Sequence, residues 1–367
     1  MNKAAEYQGG LRLLFAGCPA IVLPSLRMIA EGAKAGHWSL IGILTNPDKP
    51  RGRGGILEPT EAGIQAVLLT EEFTALGLPP PAILKYETLK TEAREAVYAL
   101  HPALLVSFAY GRIFGPKFLS LFPMGGINTH PSLLPKYRGA SPIQEAILHR
   151  DTETGISIQR IAAEMDTGNI LAQEKIPLSG RETTASLSEI AAVRGAELLQ
   201  KVLEQFREAV QKTRADTVQG AQGEAALHRL EGIPQQGKPS YCALIEKNFG
   251  LIDWNKSALE IDAQIRACIP WPVARTVHKE QTLNILEAAP YSGPEPYNRN
   301  SLNTHTVSPA RPGQLLGIDK KNGILIQTGD GILSVSRLQY QTKKALHWQA
   351  FLNGARDLIG SRLTGGS

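Results

Sequence analysis

Three strongly apolar runs, LRLLFAGC (residues 11–18), WSLIGILTN (38–46) and PALLVSFAY (102–110), recur near the start of the chain, and a fourth β-rich run, GGINTH (125–130), follows them. Between them lie segments of helical period, LPSLRMIAEGAKAG and ETLKTEAREAVYAL, the second preceded by three prolines at 79–81. A strand apolar at successive positions has to be covered on both faces, and strands that alternate with helices pair in parallel. The pattern therefore predicts an α/β domain built on a Rossmann-like parallel sheet. TGISIQRI and NILAQEKIPL read as two further strands, and residues 183–212 as a long closing helix.

Periodicity is lost over residues 213–240, where Gly, Gln and Pro gather as in a linker. A second unit follows. SALEIDAQIRAC reads as a helix, and ARTVHK, TLNILEAAP, GQLLGID and GILIQTGDGILSVSRLQ as short β runs broken by turn signals, the pattern of a smaller C-terminal, OB-like β-barrel. At 367 residues the chain is long enough for this division, with a first domain over 1–208, a linker over 209–245 and a second domain over 246–363. Residues 292–312 are polar and aperiodic, which predicts an exposed loop.

The longest nearly apolar run, LLFAGCPAIVLP, is too short to span a bilayer and contains two prolines, and the N-terminus lacks the apolar core of a signal peptide. A cytoplasmic protein with no membrane partner is the expectation. Cys18, Cys242 and Cys268 are widely spaced and odd in number, and the eight histidines are scattered, so neither a disulfide framework nor a metal site is predicted. The net charge of +5 is concentrated toward the end: residues 1–206 carry 20 Lys and Arg against 20 Asp and Glu, residues 246–363 carry 14 against 10.

In an extended strand residues i and i+2 share a face, so Asn128 and His130 project together from the end of GGINTH. Ligands of open α/β sheets bind beyond the carboxyl ends of the strands. An amide donor and an imidazole there, joined by Asp166 in the turn of AAEMDTGNIL, would supply an oxyanion donor, a group titrating near neutrality and a carboxylate to polarise it. Taken singly, Asn128 also fits a turn cap, His130 a satisfied structural histidine, and Asp-Thr-Gly an ordinary turn.

INTHPSLLPKYRGASP followed by ETGISIQRIAAEMDTGNIL resembles the formyltransferases that take a one-carbon unit from 10-formyltetrahydrofolate. The resemblance implies Asn128, His130 and Asp166 as the catalytic trio. It also implies that the turn Ser132, Leu133, Leu134 and Pro135 lies against the folate and that Phe108, Ala109, Tyr110 and Gly111 line the pterin pocket, with no metal involved. LTNPDKPRGRGGILEPT is similar to the basic loop of methionyl-tRNA formyltransferases, and the last third of the chain to their C-terminal barrel. This implies methionyl-initiator-tRNA as partner of a monomeric enzyme, with Lys49, Arg51 and Arg53 on the loop and Lys343 and Lys344 on the barrel as contacts. The loop's glycines and prolines predict a segment outside any helix or strand. The first strand carries Gly-Cys-Pro where this family commonly has Thr-Pro, and the linker is longer than usual. A formyltransferase or formyl-folate hydrolase with a small substrate, and a tRNA-binding protein without catalysis, remain alternatives.

Overall fold

The computed structural model describes residues 10–51, 55–215, 230–294, 310–355 and 357–365. The chain forms two compact units, one of Met1–Pro142, Glu153–Pro177 and Ser188–Cys242, the other of Ile143–Thr152, Leu178–Leu187 and Ala243–Ser367. In chain order the first part runs β1 (Arg12–Gly17), α1 (Leu23–Lys34), β2 (Ser39–Thr45), β3 (Lys49–Arg51), β4 (Ile56–Glu58), α2 (Glu61–Ala75), β5 (Ala82–Lys85), α3 (Thr91–Ala99), β6 (Leu104–Phe108), α4 (Pro116–Leu119) and β7 (Gly126–His130). It continues with β8 (Arg138–Gly139), α5 (Pro142–Leu148), β9 (Glu153–Arg160), β10 (Ile170–Pro177), α6 (Thr184–Ala215) and β11 (Tyr241–Cys242).

Seven strands make one sheet in the order β10-β9-β7-β6-β1-β2-β5. The neighbours from β5 to β7 pair in parallel, while β7–β9 and β9–β10 pair antiparallel. Every residue of β6 is buried, as is all of β1 but its first, which is why these strands read as unbroken apolar runs. The expected strands and helices are all present. The structure adds α2, whose period is blurred in sequence because Ile64, Val67 and Leu68 are apolar yet 50, 48 and 44% exposed, and β5, four residues long just after the prolines. One expectation is corrected: the basic loop does contain strands. Lys49, Pro50 and Arg51 pair antiparallel with Glu58, Leu57 and Ile56. A two-stranded ribbon has two open edges, and there Pro50 can sit without removing a needed donor.

The second unit contains α7 (Ala258–Ala267), β12 (Arg275–His278), β13 (Gln281–Pro290), β14 (Leu315–Asp319), β15 (Gly323–Gln327), β16 (Ile332–Tyr340), β17 (Leu346–His347) and α8 (Trp348–Gly354). Helix α7 starts where Ser257 and Glu260 form a reciprocal capping box, legible in sequence as S-x-x-E. The strands form an antiparallel sheet, β12-β13-β16-β15-β14, with β17 on β16. The chain's last stretch links its two outer strands: Thr364 exchanges backbone hydrogen bonds with Val277 of β12, and Ser361 accepts one from Leu315 of β14. The sheet thus curls around a core of Ile261, Leu283, Ile285, Ile324, Leu333 and Trp348 into the expected barrel form. Among the described residues no helix is long and apolar enough to cross a membrane.

His278 at the end of β12 is 3% exposed. Its Nδ1 lies 2.8 Å from the Tyr340 hydroxyl, and its Nε2 has no partner among the described residues. Burial pushes it below its ordinary value of 6.5, reinforced by Lys279 and opposed by Asp357. Because the unfolded chain takes up this proton first, the contribution is complete above about 6.5 and is lost as pH falls from there toward the folded-state value. Thermal midpoints measured at roughly pH 7.5 and 5.5 should therefore drop more for the parent than for His278→Gln; equal drops would show that this ring does not titrate with folding.

Candidate active site

At the end of β7, Asn128 is half-buried and His130 is 4% exposed. Asn128 stands opposite Ser107 of β6 on one side and Gln159 of β9 on the other, so both side chains leave the middle of the sheet at its carboxyl edge. The Asn128 amide has no hydrogen-bonding partner among the described residues. His130 Nε2 is 2.9 Å from the Tyr137 carbonyl, which can only accept, so this nitrogen carries hydrogen. Its other ring nitrogen, Nδ1, is 3.6 Å from Asp166 Oδ2.

Asp166 occupies the turn between β9 and β10 with φ of 56°, and its side chain is 10% exposed. Its Oδ2 accepts from the Gly139 N–H at 2.9 Å and its Oδ1 from Gln159 Nε2 at 2.7 Å. A buried carboxylate is tolerated when its oxygens are satisfied in this way. The three residues expected to act together thus lie as follows: His130 and Asp166 face one another, and Asn128 shares the strand face of His130.

The Ser132–Pro135 turn follows at once and is held from beneath. Ser157 Oγ donates to the Ser132 carbonyl at 2.7 Å and accepts from Leu134 N–H at 3.2 Å, and Gln173 Nε2 reaches the Leu134 carbonyl at 3.1 Å. These backbone groups are occupied by the protein itself, which leaves the half-buried Leu133 and Pro135 to offer shape and apolar surface. At the end of β6, Phe108 and Tyr110 are buried while Ala109 and Gly111 are exposed with φ of 45° and 78°. Burial pushes the Tyr110 hydroxyl up to about 12, so it stays neutral. The Tyr110 carbonyl accepts from Cys18 Sγ and Asn46 Nδ2, both at 3.4 Å, which ties the β6 end to the ends of β1 and β2.

Several contributors carry no signal in the sequence. Gln159 hides in an apolar strand pattern. Gln235, Ser240 and Cys242 lie in the stretch read as linker, yet Tyr241 and Cys242 form β11 in parallel with Arg138 and Gly139 of β8. Ser240 Oγ accepts from Tyr137 N–H at 2.8 Å and its carbonyl from Arg138 N–H at 2.8 Å, which fixes the Tyr137–Arg138 peptide whose carbonyl meets His130. Gly139, at φ of 117°, is required here, since a Cβ would fall 2.2 Å from the Cys242 carbonyl oxygen. Among the described residues no group of three His, Cys, Asp or Glu side chains is placed to hold a metal ion.

Of the basic candidates, Lys49 is exposed on β3, and the Lys85 ion pair with Asp48 (2.5 Å) ties the base of that hairpin to β5. Arg53 and the side chain of Arg51 lie outside the described residues. Lys343 and Lys344 are exposed between β16 and β17, and the Lys343 ammonium sits 5.6 Å from the centre of the Tyr340 ring.

The formyl transferase family matches residues 23–203, and the formyl transferase C-terminal domain matches residues 244–356. Methionyl-tRNA formyltransferase of Treponema denticola is 41% identical over 95% of this chain and 98% of its own. The proteins of that name from Treponema pallidum and Borrelia hermsii are 37% and 36% identical, covering 96% and 95% of this chain and 99% of each relative. Among solved structures, HypX from Aquifex aeolicus aligns with a TM-score of 0.55 at 15% identity, covering 96% of this chain and 50% of that one. An N-formyltransferase from Helicobacter canadensis, in complex with folinic acid and dTDP-3-aminofucose, aligns at 0.52 and 20% identity over 88% of this chain and 97% of that one. At these identities the structural likeness concerns the fold.

The contact of Gly139 with Cys242 can be tested directly. Gly139→Ala should cost about 1–3 kcal/mol, because both the backbone angle and the space exclude a methyl group. A lowered urea midpoint is the expected reading, and a parental midpoint would show that β11 does not press on β8 as described.

Proposed function

The chain belongs to the formyl transferase family, and on that premise we propose that it transfers the formyl group of 10-formyltetrahydrofolate to the α-amino group of methionyl-initiator-tRNA. The observation that carries this reading is the grouping of Asn128, His130 and Asp166 at the carboxyl edge of the sheet, in a chain that matches methionyl-tRNA formyltransferases along nearly its whole length.

Attack of the neutral amine on the formyl carbon moves an electron pair onto the formyl oxygen, and the folate nitrogen must leave with a proton as that pair returns. Asn128 supplies a neutral donor for the oxygen. His130, protonated at Nδ1 beside Asp166, supplies a charged donor and the proton for the leaving nitrogen. Asp166, held by Gly139 and Gln159, stabilises the imidazolium and takes the proton released by the amine, directly or through water. The turn Ser132–Pro135 and the β6 end Phe108–Gly111 form the walls assigned to the folate. Residues 1–208 are assigned to catalysis, 209–245 to the connection and 246–363 to holding the tRNA. Lys49, Arg51 and Arg53 meet its acceptor end, and Lys343 and Lys344 its phosphates. The protein acts as a monomer in the cytoplasm.

Asn128→Ala, His130→Ala and Asp166→Ala should each lower formylation of methionyl-initiator-tRNA by about 10²–10³. Near-parental rates in all three folded variants would refute the assignment. Arg53→Ala should weaken the reaction, whose rate at limiting tRNA should fall steeply with salt. Comparing initiator with elongator methionyl-tRNA in the same assay tests the substrate, and turnover without any tRNA would point to a small acceptor instead.

A further inference from the structure

One half-buried side chain in the stretch read as linker, Gln235, ties the turn that carries Asp166 to Arg138 of β8. Gln235 Nε2 donates to the carbonyls of Asp166 and Gly168, each at 2.8 Å. Its Oε1 accepts from Arg138 Nη2 at 2.6 Å and Nε at 3.1 Å. A guanidinium can only donate and carbonyls can only accept, so the amide fits in a single orientation. It therefore clamps both ends of the Asp166–Gly168 turn, whose first residue sits at φ of 56°, in the left-handed region that a non-glycine residue keeps only when its surroundings enforce it. The other side of the turn has no slack, since a Cβ on Gly168 would lie 1.7 Å from the Arg160 carbonyl oxygen.

We propose that Gln235, oriented by Arg138, is a positioning residue for formyl transfer: it fixes the backbone of Asp166 so that Oδ2 faces His130 Nδ1. Gln159 aligns the carboxylate from one side, and Gln235 holds the chain on which that carboxylate is mounted. The inference rests on the reading of Asp166 as part of the reacting group.

Gln235→Glu keeps the length and the acceptor for Arg138 but turns an oxygen toward two carbonyl oxygens. Gln235→Met, uncharged and of similar length, carries the test if the glutamate variant does not fold. In the full chain, with 10-formyltetrahydrofolate and methionyl-tRNA, kcat should fall roughly 10- to 100-fold, the scale of a small misplacement of a reacting group. KM for either substrate should stay within about twofold, so that the loss falls on kcat. On an Asp166→Asn background the change at 235 should add little further loss, because both act through one carboxylate. Parental kcat in both Gln235 variants, with Asp166→Asn impaired, would overturn the inference. So would losses that add in full, which mark a general structural role. Parental turnover in Asp166→Asn would instead remove the reading of the site, and this inference with it.

Discussion

A carboxylate nine-tenths removed from water sits beside the end of β7 in the unit built on the seven-stranded sheet, and its need for compensating donors organises what surrounds it. Asp166 draws on the Gly139 N–H, the Gln159 amide and the facing His130 ring, and these come from β8, β9 and β7. The arrangement depends on the change from parallel to antiparallel pairing at β7. Because β9 runs back along β7, Gln159 comes to lie opposite Asn128 and β9 ends with Arg160 opposite Ile127, from where the turn to β10 brings the Asp166 carboxylate to within 3.6 Å of the His130 ring.

The supports beneath the site are close-packed and leave little freedom. Ser157 and Gln173 bind the Ser132–Pro135 turn from two neighbouring strands. Ser240 fixes Tyr137, whose carbonyl in turn fixes His130. At Gly139 and Gly168 passing backbone comes too near for any side chain. On the proposed reading, groups held this way are pre-oriented for charge that develops only during reaction, which is how an amide, an imidazole and a carboxylate would gain over the same groups in water.

The barrel unit stands on a different constraint. An antiparallel sheet leaves two open edges, and here residues 361–364 join them by pairing with β12 and with β14. The apolar residues facing inward then enclose a core that includes two tryptophans, one of which satisfies its indole N–H on Thr276 at 3.0 Å.

Much of the architecture was legible in the sequence, for reasons tied to particular residues. The runs that became β1, β2 and β6 are apolar because both faces of those strands are covered, and the i, i+2 spacing of Asn128 and His130 survives folding because strand geometry enforces it. Helix α2 and strand β5 were missed, since an apolar outer face blurs a helical period and four residues are too few to show a strand one. The ribbon at Lys49–Arg51 was missed because glycine and proline mark a turn without saying what pairs across it.

The sequence by itself determined the fold class, the shared face of Asn128 and His130 and the turn that presents Asp166, because these follow from local periods and local turn chemistry. Only the tertiary structure decided which groups hold Asp166 in place. Gly139 and Gln235 lie 27 and 69 residues from it along the chain, and no local pattern encodes a partnership across such distances. It arises because the sheet order and the return of β11 onto β8 carry those residues to one buried charge.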